Sequence, residues 1–236
     1  EIRLSDWSSD VCSSDLERSI IMIIERKEYL EKLIAWKDKQ LIKIVTGVRR
    51  CGKSMLLEIY RNYLREHGIQ KEQIISINFE DLDYEELTDY RKLYKYLKER
   101  LIDGKMTYIF LDEIQNVTDF PKVLDSLYIK KNIDIYVTGS NSRLLSSEFS
   151  TYLAGRYVAF HIMTLSFREY LLFHNVPLAI SASDRKAEFL KYLRMGGFPA
   201  IHTANYDYNA IYKIVYDIYS SVILRDTVQR HGIRNV

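Results

Sequence analysis

Cysteine is scarce in this chain, with Cys12 and Cys51 the only two among 236 residues. Two cysteines, one of them inside a glycine-rich loop, exclude a disulfide framework and are consistent with a reducing compartment. Long apolar runs are also lacking, since no stretch approaches the roughly 20 residues of a membrane span. Residues 19–24 are too short and badly flanked for a signal peptide. We therefore expect a cytoplasmic protein without a membrane segment.

An excess of either charge is missing as well. The chain has 34 Lys and Arg against 32 Asp and Glu, a formal net charge of +2. Such a balance produces no field strong enough to identify nucleic acid or another partner. Apolar residues make up 47% of the chain, enough to bury a substantial core. The size fits one domain with an appendage or two small domains.

The first residues have no periodic pattern. Residues 6–16 read DWSSDVCSSDL, a string that resembles the translation of a short-read sequencing adapter. The alternative is a disordered tail rich in Ser and Asp. We exclude residues 1–16 from the functional interpretation and take Met22 as the expected start. The remaining 33 basic and 28 acidic residues then give a formal charge of +5.

Strand-like and helix-like segments alternate between residues 25 and 162. Apolar runs predict strands at residues 41–46, 74–79, 108–111, 133–138 and 156–162. Helical periods occupy residues 25–39, 54–66 and 119–130, and a further helix follows the acidic residues 80–83 and continues through residue 101. Alternation of this kind favours an α/β fold with a parallel sheet and right-handed crossovers.

Beyond residue 166 the strand signals stop and helical patterns continue to residue 228. We expect three parts: a leader at 1–21, a core at 22–164 and a helical lid or linker at 165–236. Gly196 to Pro199 predicts a turn between helices. The last residues follow a helical pattern without a cap, so we expect the protein to continue into a C-terminal domain.

A phosphate-binding loop follows the first predicted strand. The pattern G-x-x-x-x-G-K-S places glycines where the backbone approaches phosphate, and the next helix adds its dipole. Lys53 is expected to reach the β and γ phosphates of ATP, and Ser54 to bind Mg²⁺. The predicted nucleotide-binding residues are Gly47, Val48, Arg49, Arg50, Cys51, Gly52, Lys53, Ser54 and Met55.

Two acids end the third predicted strand, about 60 residues further on, as a βαβ arrangement allows. An ATPase needs a carboxylate on the metal and a base that positions water, both at the carboxyl end of a neighbouring strand. Asp112 is the predicted metal ligand and Glu113 the predicted base. An isolated Asp-Glu pair after an apolar run would more often be a solvated strand end. Because the phosphate loop is also present, we interpret the pair as catalytic.

Three further polar residues are weaker candidates. Asn141, after the fourth strand, could contact the γ-phosphate or the water, although Ser140 or Asn141 could also cap a helix. Asn78 could restrain Glu113, but capping is the preferred interpretation. Arg156 stands where an arginine could reach the γ-phosphate of a neighbouring subunit. Arg156 could equally be an ordinary surface arginine with no role in catalysis.

Tyrosines recur at helical spacing between residues 206 and 219. A stacking surface for bases is conceivable, but core packing is preferred because one helical face collects apolar residues. That face comprises Tyr208, Ile211, Tyr212, Val215, Ile218, Tyr219 and Val222. The histidines show no metal-ligand spacing, so no zinc site is predicted.

Several strings resemble a known family. The chain is similar to AAA-superfamily ATP-binding proteins of bacteria and archaea, in the subgroup whose core precedes a C-terminal domain of unknown function. The strings are TGVRRCGKS, LDEIQ, TGSNSRLLS, LAGRY, LSFREY and GGFP. The resemblance covers residues 22 to 236 and implies an AAA-type core with sheet order 5-1-4-3-2. It also implies a C-terminal domain related to a nuclease-like fold.

We therefore predict Mg²⁺-dependent ATP hydrolysis that changes the arrangement of the helical region and whatever follows it. A P-loop small-molecule kinase shares the loop, but the adjacent acids favour water as the nucleophile. A nucleotide-gated switch with slow hydrolysis, acting on DNA or protein, is a further alternative. The expected partners are a nucleotide, a DNA or protein target reached through the C-terminal domain, and further copies of the chain, with no membrane.

Overall fold

The computed structural model describes residues 26–139, 144, 152–203 and 207–222. Its strands are β1 Ile42–Gly47, β2 Ile74–Asn78, β3 Thr107–Asp112, β4 Ile133–Gly139 and β5 Tyr157–Ile162. Its α-helices are α1 Lys27–Ala35, α2 Lys53–Glu66, α3 Tyr90–Glu99, α4 Phe120–Tyr128, α5 Phe167–Phe173, α6 Ala182–Met195 and α7 Tyr208–Val222. Short 3-10 helices lie at Lys71–Gln73, Leu82–Thr88, Ile114–Asn116 and Pro199–Ile201.

The five strands form one parallel sheet in the order β2-β3-β4-β1-β5. Read from the other edge, this is the predicted order 5-1-4-3-2, so the fold prediction is confirmed. Because all strands run in the same direction, the carboxyl ends of β1, β3 and β4 meet at one edge. The phosphate loop and the two acids follow β1 and β3, so the topology brings them to that edge.

The sheet is buried on both faces, which explains why its strands read as continuous apolar runs. On β3, Ile109 and Leu111 pack in one cluster with side chains of α3 and α4. Tyr108 and Phe110 point to the opposite face and pack with side chains of α1 and α2. The period-2 alternation of a strand thus serves two cores, one on each side of the sheet.

The predicted long helix before residue 101 is divided in the structure. A 3-10 helix covers Leu82–Thr88, and α3 begins only at Tyr90. Asp89 separates the two because its backbone is extended and its carboxylate accepts hydrogen bonds from the amides of Arg91 and Lys92. An Asp cap of this kind starts a new helix where the periodic pattern alone suggests continuation.

Core packing of the α7 face is confirmed for Ile211 and Ile218 but is wrong for its tyrosines. Ile211 and Ile218 are buried, whereas Tyr208, Tyr212 and Tyr219 are between 52% and 73% exposed. The aliphatic residues form a narrow buried stripe, and the tyrosines lie beside it on the same helix. None of the helices in the described part of the chain is long and apolar enough to cross a membrane.

Candidate functional site

The loop between β1 and α2 is tightly packed at its first glycine. A Cβ atom at Gly47 would overlap the carbonyl oxygen of Ile162 and approach the sulfur of Cys51 to 2.7 Å. Only glycine therefore lets the loop leave β1 beside β5. Arg50 (φ 64°) and Gly52 (φ 96°) both adopt left-handed conformations, which turn the chain sharply into α2.

The amino end of α2 has no side-chain cap. Gly52 is the N-cap residue, and the first turn carries no acidic side chain. The amides of this turn therefore have no carboxylate or hydroxyl partner from the cap, and the helix dipole adds positive potential there. This end of a 14-residue helix suits a phosphate group.

The Lys53 side chain lies beneath the loop. Its Nζ is 3.4 Å from the carbonyl oxygens of both Gly47 and Val48, and 3.8 Å from Glu113 Oε1. The Lys53 side chain is only 5% exposed, and that of Glu113 is 18% exposed. The structure thus brings together the predicted phosphate-binding lysine and the predicted base, which are 60 positions apart in the chain.

Thr138, near the end of β4, joins the two acids. Its Oγ1 donates a hydrogen bond to Asp112 Oδ1 and accepts one from the Glu113 amide at 3.0 Å. Thr138 is fully buried, and Asp112 is 9% exposed. Glu113 has a left-handed backbone (φ 54°), an unfavourable conformation for a non-glycine residue that this hydroxyl helps to hold. The Thr138 hydroxyl therefore orients both acids.

Gln115 was missed by the sequence analysis. Its Nε2 donates a hydrogen bond to Glu113 Oε2, so an amide and an ammonium flank the carboxylate. The amide fits because the facing residue is Gly139, where a Cβ atom would overlap Gln115 Oε1. A polar residue two positions after the Asp-Glu pair was the only signal available in the sequence.

The weaker candidates lie elsewhere. Asn78 Oδ1 accepts a hydrogen bond from the Glu80 amide at 3.0 Å, a local turn contact that supports its capping role. Arg156 precedes β5 at the amino end of the sheet and pairs with Asp125 of α4. It stands about six residues of strand, roughly 20 Å, from the loop edge. A role at this chain's own loop is excluded by this placement. Asn141 lies outside the described residues.

The other predicted nucleotide-binding side chains are either exposed or buried in the core. Arg49 pairs with Glu80 at 3.2 Å with both groups about half exposed, while Val48 and Met55 are exposed. Cys51 is fully buried, and burial raises the pKa of its thiol. Its sulfur is therefore a packing group that remains protonated. These residues contribute backbone rather than side chains to the loop.

The donor set beside the loop fits Mg²⁺. Ser54 presents an exposed hydroxyl on the first turn of α2, and Asp112 presents a carboxylate at the end of β3. Hard oxygen donors suit Mg²⁺, which keeps several waters and shares phosphate oxygens instead of filling a protein cage. Among the residues described, no group of three or more His, Cys, Asp or Glu could hold a metal alone.

One protein-family profile and two individual proteins are similar to this chain. A family profile described as AAA domain matches residues 39–171, which include the loop, both acids and Thr138. An uncharacterised protein of Haemophilus influenzae is 37% identical over 90% of this chain and 52% of its own length. An uncharacterised protein of Methanocaldococcus jannaschii is 37% identical over 83% of this chain and 44% of its own length. The chain thus spans about half the length of these relatives.

Solved structures with a similar backbone include Saccharomyces cerevisiae Hsp104 in its casein complex, with TM-score 0.49, 14% identity, and coverage of 87% of this chain and 39% of that one. AMPPCP-bound DnaA from Aquifex aeolicus gives TM-score 0.46 and 13% identity, with coverage of 87% of this chain and 65% of that one.

Proposed function

This chain belongs to the AAA domain family, and from that premise we propose that it binds ATP with Mg²⁺ and hydrolyses it. The hydrolysis would change the conformation of a module attached to the helical region. The observation that carries the proposal is the placement of the Glu113 carboxylate 3.8 Å from Lys53 Nζ, at the mouth of the phosphate loop. A base beside the residue that binds the γ-phosphate is the arrangement that hydrolysis requires.

Phosphate binding uses groups that the loop already orients. The backbone amides of the loop and of the first turn of α2 would receive the phosphate oxygens. Lys53 Nζ lies 3.4 Å from the carbonyl oxygens of Gly47 and Val48, and it would bind the β and γ phosphates in place of these oxygens. A charged donor in a water-poor site contributes about 1.5–3 kcal/mol to such a contact.

Metal binding would involve Ser54 and Asp112. The bound Mg²⁺ would neutralise charge on the phosphates as the terminal phosphoryl group departs. Thr138 holds the Asp112 carboxylate through its hydroxyl, so the direction in which the second carboxylate oxygen points is restricted before any ligand binds.

Glu113 would accept the proton of the attacking water. Its two oxygens lie beside Lys53 Nζ and Gln115 Nε2. When Lys53 turns to the γ-phosphate, the Glu113 oxygen that faced it becomes available, while Gln115 still orients the other.

Coupling to another module is supported by two features. The helical region of α5 to α7 follows the end of β5, directly beside the phosphate loop. The curated relatives are about twice as long as this chain. We infer that the additional part of such proteins is what the ATPase moves.

Equilibrium titration with ATP and Mg²⁺ tests the binding step. Lys53→Ala should weaken ATP binding by about 10- to 100-fold, because it removes a charged phosphate donor. Lys92→Ala is the matched control, since its exposed ammonium pairs with Glu86 at 3.6 Å far from the loop. Equal affinities for the wild type and the Lys53 variant would contradict the assignment. Transfer of phosphate to an acceptor hydroxyl rather than water would instead identify a kinase.

A further inference from the structure

Arg26 is a buried arginine that the proposed chemistry does not use. Its side chain is 5% exposed although it carries a permanent charge. Nη1 donates to the Cys51 carbonyl at 3.0 Å, Nη2 to the Met163 carbonyl at 2.9 Å, and Nε to Glu169 Oε1 at 2.8 Å. One guanidinium therefore joins the phosphate loop, the segment after β5 and helix α5.

The contact with Cys51 fixes a peptide of the phosphate loop. A trans peptide is planar, so its carbonyl and the following N–H point in opposite directions. With the Cys51 carbonyl held by Arg26, the Gly52 N–H must point away from Arg26. This N–H is one of those expected to receive phosphate oxygens. If the peptide flipped, it would present a carbonyl oxygen to an anion.

The same guanidinium is tied to the helical region. Glu169 lies in the first turn of α5 and forms a capping box with Ser166, whose amide donates to Glu169 Oε2 at 2.8 Å. Burial opposes ionisation of Glu169, but the hydrogen bonds from Arg26 and Ser166 outweigh it and lower the pKa of the carboxyl. The carboxylate is therefore charged at neutral pH and fixes both Arg26 and the start of α5.

A second part of the helical region approaches the loop at the same peptide. A Cβ atom built at Gly52 would lie 3.7 Å from the ring of Pro199 and 3.8 Å from Arg26 Nη1. The turn before Pro199 is anchored because the Leu165 amide donates to the Gly197 carbonyl at 2.7 Å. The loop peptide is thus enclosed by groups that belong to, or are held by, the helical region.

We propose that Arg26 is a positioning residue for nucleotide binding, which orients the Gly52 N–H toward phosphate and links that peptide through Glu169 to helix α5. This inference rests on the proposed function. A phosphate that binds the Gly52 N–H strengthens the hydrogen bond that Arg26 donates to the Cys51 carbonyl. The Arg26 and Glu169 pair transmits that change to the first turn of α5.

Two variants of Arg26 separate positioning from simple packing. Arg26→Met keeps the length and the Cβ atom but donates no hydrogen bond, and it should raise the Kd for ATP by about 10- to 100-fold. Arg26→Lys keeps the charge but cannot serve the three acceptors at once, so its Kd should be intermediate. Arg65→Met is the matched control, because Arg65 lies exposed in the last turn of α2 and donates to Asn62 Oδ1 at 2.8 Å; its Kd should equal that of the wild type.

Titrations are made well below the melting temperature of each variant, so that loss of stability alone leaves the Kd unchanged. An Arg26→Met protein that binds ATP as tightly as the wild type would overturn the inference. If Arg26→Met does not fold, the Arg26→Lys protein is used instead. An Arg26→Lys protein that binds ATP as tightly as the wild type would then overturn the inference. A wild-type chain that binds no ATP would overturn the proposed function and this inference with it.

Glu169→Gln tests the link to the helical region. It keeps the size and an acceptor for Arg26 but removes the charge. Hydrogen exchange of the peptide spanning α5 should slow when ATP binds to the wild type, and this slowing should be reduced at least two-fold in Glu169→Gln at saturating ATP. Equal slowing in both proteins would overturn the link, even where Arg26→Met shows the expected loss of affinity.

Discussion

Replacing Thr138 with valine tests how the two acids are held. Valine has nearly the same shape, so the change removes the hydroxyl that bridges Asp112 and the Glu113 amide. The buried N–H and the carboxylate oxygen each lose a partner, and an orphaned buried polar group costs about 1–3 kcal/mol. We expect a loss of roughly 3 kcal/mol in the free energy of unfolding, less than the usual total for a folded domain. In a chain of this length the melting temperature should fall by about 6–12 °C.

The activity of the same variant should fall further than its stability suggests. Without the hydroxyl, Glu113 loses the contact that supports its left-handed backbone, and a misplaced base costs about 100-fold in turnover. Thr138→Ser is the matched control, because it keeps the hydroxyl and loses only a methyl group, worth about 1 kcal/mol. Urea unfolding and phosphate release are measured for both proteins. If the valine and serine variants behave alike in both assays, the bridging role of the hydroxyl is refuted.

Three other expectations follow from named contacts. Gln115→Leu should lower kcat about 10-fold with an unchanged Kd for ATP, because the amide orients Glu113 without touching nucleotide; a parallel loss of affinity would contradict this. Gly139→Ala should reproduce that phenotype, since the added methyl group displaces the Gln115 amide; wild-type turnover would argue against the contact. His174 and His202 share a hydrogen bond at 3.0 Å, and burial lowers the pKa of both. Below about pH 6.5 the unfolded chain therefore binds more protons than the folded chain does. The melting temperature should decrease from pH 7.5 to 5.5, and this decrease should be smaller in His174→Gln.

Residues that are close in the sequence predicted much of the site. The loop of residues 47–54 lies between a strand and a helix as expected, and Asp112 and Glu113 follow a buried strand. Glycine spacing, apolar runs and their order are local signals, and they were sufficient for a parallel α/β sheet. The order of its strands was implied by the resemblance to the AAA superfamily.

The contacts that orient these groups were not predictable in the same way. Thr138 is 25 positions from Glu113, and Arg26 is 143 positions from Glu169. Each contact depends on which strands become neighbours and on the direction in which a side chain leaves a turn. The spacing of residues in the sequence does not predict either. Local patterns also misled where two effects competed, as at Asp89, where a cap divided an apparently continuous helix.

Single-turnover phosphate release with Mg²⁺ and excess protein tests the central claim, that Glu113 activates water at this phosphate loop. The measurement compares the wild type with Glu113→Gln, which keeps the size and the hydrogen-bonding capacity of the side chain but cannot accept a proton. The account predicts phosphate release by the wild type and a rate at least about 100-fold lower in the variant, with ATP still bound. Equal rates in the two proteins, at equal occupancy by ATP, would contradict it.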